Sequence, residues 1–131
     1  LQLMKITGIG IDIVKNKRVQ KLIKNKKFLN RVFTLKEIIK SKKIFNKTNF
    51  FAKRIAANES FVKATGFGFR DGVNFKDIEI ENNKFGKPFY ILNPKIKKIL
   101  QTKANLNKFD LFLSISDEKD YSIAFTIIQQ K

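Results

Sequence analysis

The chain has 131 residues, with 28 Lys and Arg against 11 Asp and Glu, for a formal charge of +17. A hydrophobic share of 43% with 14 Phe is that of a globular chain, which excludes a disordered basic tail, and the length suits a single domain over 1–131. The absence of Cys and His excludes disulfides, thiolate and imidazole chemistry and nearly every zinc site. No apolar run reaches the roughly 18 residues of a membrane span, and Leu1-Gln2-Leu3-Met4-Lys5 is too short for a signal peptide. The expectation is a soluble, cytoplasmic protein with no membrane partner. The first residue is not Met, so whether residues 1–3 are native stays open.

Ile6 to Val14 reads as a strand in which Ile9, Ile11 and Ile13 alternate with Gly8, Gly10 and Asp12. Two glycines on one face imply a close approach there, with Asp12 pointing into the cleared space. Residues 15–31 carry an approximate helical stripe of Val19, Leu22, Ile23, Phe28 and Leu29. Thr34-Leu35-Lys36-Glu37 has the form of a capping box opening a helix to about Asn46.

A longer helix is expected from about Asn49 to Ala64, closed by Gly66 and Gly68. On a helical wheel with Phe51 at zero, Ile55 and Val62 lie within roughly 40°, Glu59 at about 80° and Lys63 at about 120°. Ser60 and Lys53 fall near 180–200°, about where solvent is expected. Beyond Val73 the signals are strands: Ile78 and Ile80 alternate with acids, Asn82-Asn83-Lys84 is turn chemistry, and Phe89 to Leu92 is apolar. Asn93-Pro94 caps a short helix to about Thr102. Leu111 to Ser116 and Tyr121 to Ile128 flank an acidic turn. The class is α+β, an antiparallel sheet with helices packed on it.

The charge is concentrated. Residues 1–63 hold 17 basic and 3 acidic residues, against 11 and 8 in residues 64–131. A basic half implies an anionic partner, although an A/T-rich codon bias would also scatter lysines, and 24 of the 28 cations are Lys. Asp12 and Glu59 stand nearly alone in that half. Isolated carboxylates among cations suit Mg²⁺ bound to phosphate, because Mg²⁺ takes one or two protein carboxylates and completes its shell with water and phosphate oxygens. Glu59 and Lys63, at i and i+4, share a helix face, so one can hold metal while the other reaches a phosphate; the same spacing also describes an ordinary helix ion pair.

Five blocks, in order, resemble one family: Gly8-Ile9-Gly10-Ile11-Asp12-Ile13-Val14; Arg54-Ile55-Ala56-Ala57-Asn58-Glu59-Ser60-Phe61-Val62-Lys63-Ala64-Thr65-Gly66; Phe75-Lys76-Asp77-Ile78-Glu79-Ile80; Gly86-Lys87-Pro88; and Leu113-Ser114-Ile115-Ser116. They are similar to the holo-acyl carrier protein synthases, the small bacterial 4′-phosphopantetheinyl transferases. The resemblance implies transfer of 4′-phosphopantetheine from coenzyme A to a serine of apo-acyl carrier protein, releasing adenosine 3′,5′-bisphosphate, in fatty acid biosynthesis. It implies Mg²⁺ on Asp12 and Glu59, a phosphate contact from Lys63, and coenzyme A contacts from Arg54, Gly66, Gly86, Lys87 and Pro88. It also implies an acidic carrier protein docked on Arg18, Lys27 and Arg31, and a homotrimer with sites between subunits. Glu59 is the candidate to receive the serine proton.

Four positions depart from the family pattern. Lys15 stands where Glu is usual, Asn58 where Lys is usual, and Phe112 and Asp117 replace the two histidines of the closing block. Asp117 is retained as a candidate catalytic residue, against the plainer view that it begins a hairpin turn. A basic nucleic-acid-binding module and an inactive homologue are the alternatives. The chain has no zinc-finger pattern, ribonucleoprotein aromatic motif or Arg-rich stripe, so no specific nucleic-acid partner is expected.

Overall fold

The computed structural model describes residues 4–131, so the reading of residues 1–3 lies outside the described residues. Strand β1 (Lys5–Lys15) has two faces of opposite character. Ile9, Ile11 and Ile13 point outward and stay exposed, Ile13 at 60%. On the other face Gly8, Gly10, Asp12 and Val14 meet the body of the protein. The strand pairs antiparallel with β5 (Tyr121–Gln130), which pairs antiparallel with β4 (Phe109–Asp117), giving the order β1-β5-β4. The inner face of β5 is fully buried at Ser122, Ala124, Thr126 and Ile128.

After β1 the chain forms three short helices: α1 (Asn16–Leu22), α2 (Lys26–Val32) and α3 (Leu35–Ser41). The single stripe expected over 15–31 is thus broken in two, because Asn25 caps α2 through its side chain, accepting from Lys27 N at 2.9 Å and Phe28 N at 3.3 Å. The Thr34–Glu37 capping box is present in full, but α3 ends at Ser41, earlier than Asn46, and Asn46 instead caps the next helix.

Helix α4 (Lys47–Thr65) lies on the inner face of the sheet and ends at Gly66, whose φ of 77° is the left-handed cap glycine allows. A second sheet, β2 (Ile78–Asn82) paired antiparallel with β3 (Pro88–Leu92), lies beside it, followed by α5 (Pro94–Lys103), capped by Asn93. One apolar cluster joins Val19, Phe33, Phe51 and Ala56 to Ala124; another joins Phe61 to Ile78, Ile96 and Leu100. The architecture is α+β with two antiparallel sheets. Ser60 corrects the wheel: it is fully buried, not solvent-facing. Helix α4 is covered by both sheets, and small residues on its polar side let β1 and β5 close over it.

Candidate active site

The glycines of β1 set the geometry. A Cβ on Gly10 would sit 1.9 Å from the Ser60 carbonyl oxygen, and one on Gly8 would sit 2.0 Å from that of Ala64. Only bare backbone lets α4 come this close to β1. What approaches the glycine face is therefore the helix itself. Two residues beyond Gly10, the same strand face carries Asp12 to the helix side chains. Lys63 Nζ donates to Asp12 Oδ1 at 3.0 Å and to the Ile11 carbonyl oxygen at 3.1 Å.

Asp12 and Glu59 line one cavity of about 440 Å³, with Arg18, Phe28, Ile55 and Phe75 among its other walls. Glu59 is half-buried, and among the described residues no hydrogen bond or ion pair fixes its carboxylate. Burial pushes its carboxyl above the usual carboxylate range, the Asp12 charge adds to this, and Lys63 opposes it. A half-buried carboxylate without its own cation, facing a second carboxylate, is electrostatically suited to a hard divalent ion. Two carboxylates lining one cavity match Mg²⁺ completed by water and phosphate. Asp12 and Glu59 thus share a cavity with Arg18, and Lys63 joins them from beside it through its contact with Asp12 and its charge opposite Glu59.

The remaining candidates lie elsewhere. Arg54, Gly86, Pro88 and Asp117 line a different cavity of about 420 Å³, along with Lys40 and Lys53. Asp117, grouped by sequence with Glu59 and Lys63, does not share the cavity of Glu59 within one chain; its Oδ2 accepts from Asn49 Nδ2 at 2.6 Å. Arg54 is only 3% exposed. Its guanidinium lies over the Phe50 ring at 3.8 Å, its Nε faces Glu37 Oε2 at 3.4 Å, and its Nη2 donates to the Ile80 carbonyl oxygen at 3.3 Å. Arg54 also reaches Asn82 Oδ1 at 3.4 Å, and Asn82 Nδ2 donates to the Gly86 carbonyl oxygen at 3.0 Å, so Arg54 braces the Gly86–Pro88 turn from below.

That turn closes on Asn83, whose Oδ1 accepts from Phe85 N and Lys87 N, both at 2.9 Å. Lys87 lines a further hollow beside Pro88 and Phe112. Gly66 has open space where a Cβ would stand. Lys27 and Arg31 are exposed on α2, and Arg18 is exposed on α1. Sequence reasoning missed Glu37 as the buried partner of Arg54, Asn49 as the partner of Asp117, and the buried hydroxyls of Ser60, Tyr90 and Thr126. Glu37 had a visible signal in its capping box; the others are joined only by tertiary structure.

Comparison with known proteins shows the family. The family described as the 4′-phosphopantetheinyl transferase superfamily matches residues 8–126. A holo-[acyl-carrier-protein] synthase from Pelagibacter ubique is 53% identical over 128 residues, covering 98% of this chain and all of the relative. One from Clostridium botulinum (strain Eklund 17B / Type B) is 42% identical over 125 residues, covering 95% of this chain and 98% of the relative. Among solved structures, a holo-[acyl-carrier-protein] synthase from Neisseria meningitidis superposes with a TM-score of 0.85 at 36% identity, covering 95% of this chain and 98% of the other. One from Bacillus anthracis, in complex with CoA (3′,5′-ADP), superposes with a TM-score of 0.80 at 33% identity, covering 98% of this chain and 100% of the other. The strand that carries Asp12, the helix that carries Glu59 and Lys63, and the turn at Gly86–Pro88 all fall inside the matched span, and the chain belongs to the 4′-phosphopantetheinyl transferase superfamily, with the holo-acyl carrier protein synthases.

Proposed function

We propose that this enzyme transfers 4′-phosphopantetheine from coenzyme A to a serine hydroxyl of apo-acyl carrier protein, in a Mg²⁺-dependent reaction that releases adenosine 3′,5′-bisphosphate and serves fatty acid biosynthesis. The observation that carries this reading is the convergence of Asp12, Glu59 and Lys63 where the exposed cation Arg18 stands at the rim. Asp12 and Glu59 would hold the ion. When bound, Mg²⁺ supplies charge neutralisation and orientation for the pyrophosphate.

The chain's own groups do the rest. Lys63, released from Asp12 as substrate enters, turns its ammonium to a phosphate oxygen and stabilises the charge that passes to the leaving bisphosphate. Glu59 is the group placed to take the serine proton. Arg18, Lys27 and Arg31 dock the acidic carrier, and complementary charge of this kind speeds encounter more than it deepens affinity.

The exposed outer face of β1-β5-β4, with Ile9, Ile11, Ile13, Phe112 and Phe125, supports assembly into a homotrimer, since a patch of this kind is rarely left in water. Assembly also accounts for the two separate cavities. Asp12, Glu59 and Lys63 of one copy complete a site whose coenzyme A nucleotide rests against Gly86, Lys87, Pro88 and Asp117 of the next. No helix among the described residues is long and apolar enough to cross a membrane, in keeping with a cytoplasmic place of work. Incubation with coenzyme A, Mg²⁺ and apo-acyl carrier protein is expected to raise the carrier's mass by one phosphopantetheine; an unchanged mass across varied metals and pH would overturn the assignment.

A further inference from the structure

Glu59 has nothing but its helix to aim it. Its carboxylate makes no hydrogen bond among the described residues, so its place opposite Asp12 depends on how firmly the Ala57–Lys63 stretch is seated. On the β1 side that seat is the contact with Gly8 and Gly10. On the other side it is a cluster of three hydroxyls from three elements: Ser60 of α4, Thr126 of β5 and Tyr90 of β3. Ser60 and Thr126 are fully buried, and the half-buried Tyr90 brings its hydroxyl against both.

Two hydroxyls converge on one acceptor of the helix. Tyr90 OH donates to the Ala57 carbonyl oxygen at 2.7 Å, and Ser60 Oγ donates to the same atom at 2.9 Å. Thr126 Oγ1 lies 2.7 Å from the Tyr90 hydroxyl and 2.6 Å from Ser60 Oγ, so its one hydrogen can serve either. The cluster ties the Ala57–Ser60 turn of α4 to β5 and β3, in a dry setting where an unmet hydroxyl is costly. Burial pushes the phenol up to about 12, so it keeps its hydrogen throughout the working pH range.

We propose that this hydroxyl cluster clamps the Glu59 turn of α4 against the sheet, and that Tyr90 is a positioning residue for the Asp12–Glu59 pair. The inference rests on the metal reading above for its consequence, but the clamp has its own readout. A 1 Å displacement in such a site costs about 10²-fold in rate, so a small loosening of α4 reaches the chemistry without unfolding the protein.

The test uses Tyr90→Phe, which keeps the ring, Thr126→Val, which keeps the shape, and Thr126→Ser, which keeps the hydroxyl. Amide hydrogen exchange is expected to quicken about 10-fold at residues 59–64 in the first two variants, the loss of one buried hydrogen bond, with rates in α5 unchanged. Mn²⁺ affinity, measured by calorimetry, is expected to weaken about 5-fold in the same two proteins. Thr126→Ser should match wild type in both measurements. Wild-type exchange at 59–64 in Tyr90→Phe, or equal acceleration in every helix, would overturn the clamp. Failure of the wild-type protein to bind Mn²⁺ would instead refute the metal reading, and the exchange rates would still decide the clamp.

Discussion

Gly10 and Ser60 touch through backbone alone: a Cβ on Gly10 would stand 1.9 Å from the Ser60 carbonyl oxygen and 2.6 Å from Ala64 N. Neither neighbour is a flexible side-chain tip that can swing aside. Gly10→Ala must therefore push α4 away from β1, and the displacement falls between Asp12 and the Glu59–Lys63 face. We expect a loss of about 1–3 kcal/mol in stability and a fall of about 10²-fold in kcat. Gly68→Ala is the control, because a Cβ there would meet Val62 Cγ1 at an ordinary 3.7 Å. Urea denaturation and turnover with apo-carrier check both, and near-wild-type turnover in Gly10→Ala would refute this seating.

Glu59 sets function against stability. Its carboxyl is raised by burial and by Asp12, so the folded protein takes up this proton at higher pH than the unfolded chain. By linkage, its contribution to stability grows as pH falls through the raised value and is lost as pH rises beyond it. Glu59→Gln removes the half-buried charge. At neutral pH without metal, the variant should therefore melt roughly 1–4 °C above wild type, and the gap should close as pH falls toward 4. Turnover should be abolished. Thermal melts across this range check the sign, and a variant less stable than wild type at neutral pH would contradict it.

How far the site could be read from the chain follows from the range of each interaction. Asp12 was legible because strand alternation fixes its face, and Glu59 with Lys63 because i,i+4 spacing fixes theirs; both are local rules. The glycine pair correctly announced a close approach, but not that α4 would be the visitor, since the pairing joins residues about 50 apart. Ser60 was placed in water because a wheel assumes one wet side, whereas α4 is enclosed between two sheets. Arg54 was read as a nucleotide contact through resemblance; its burial against Glu37 depends on α3 folding back over α4. The separation of Asp117 from Glu59 within one chain has no signature in sequence at all.

The outer face of β1 gives a prediction about assembly. Ile11 is exposed, pairs across the sheet with Phe125, and sits between Ile9 and Ile13. If this face is where copies meet, Ile11→Glu buries an unpaired charge in each contact, at a cost of several kcal/mol. Light scattering behind size exclusion should give a trimer for wild type and a monomer for the variant, with turnover falling together with assembly because the two cavities no longer meet. A trimeric Ile11→Glu protein would show that the subunits associate by another surface.

Glu37 and Arg54 form a buried pair whose value is best measured by breaking it twice. Both side chains are almost wholly buried, at 3% and 4% exposure. Burial raises the carboxyl and lowers the guanidinium, so each charge is held only by the groups around it. Glu37 accepts from Thr34 N at 3.1 Å and Ile80 N at 3.3 Å, tying α3 to β2, while Arg54 reaches the Ile80 carbonyl oxygen from α4. Removing one partner leaves the other charge buried without its counterion, which typically costs 3–5 kcal/mol. Glu37→Gln and Arg54→Met should each destabilise by about that amount, whereas the double variant should lose much less than the sum, with a coupling above about 1 kcal/mol. Urea titrations of the four proteins close the cycle, and additivity to within about 0.5 kcal/mol would mean the two charges act independently. Because Arg54 braces Asn82 and, through it, the Gly86 turn, Arg54→Met should also raise the Michaelis constant for coenzyme A, with that for the carrier unchanged.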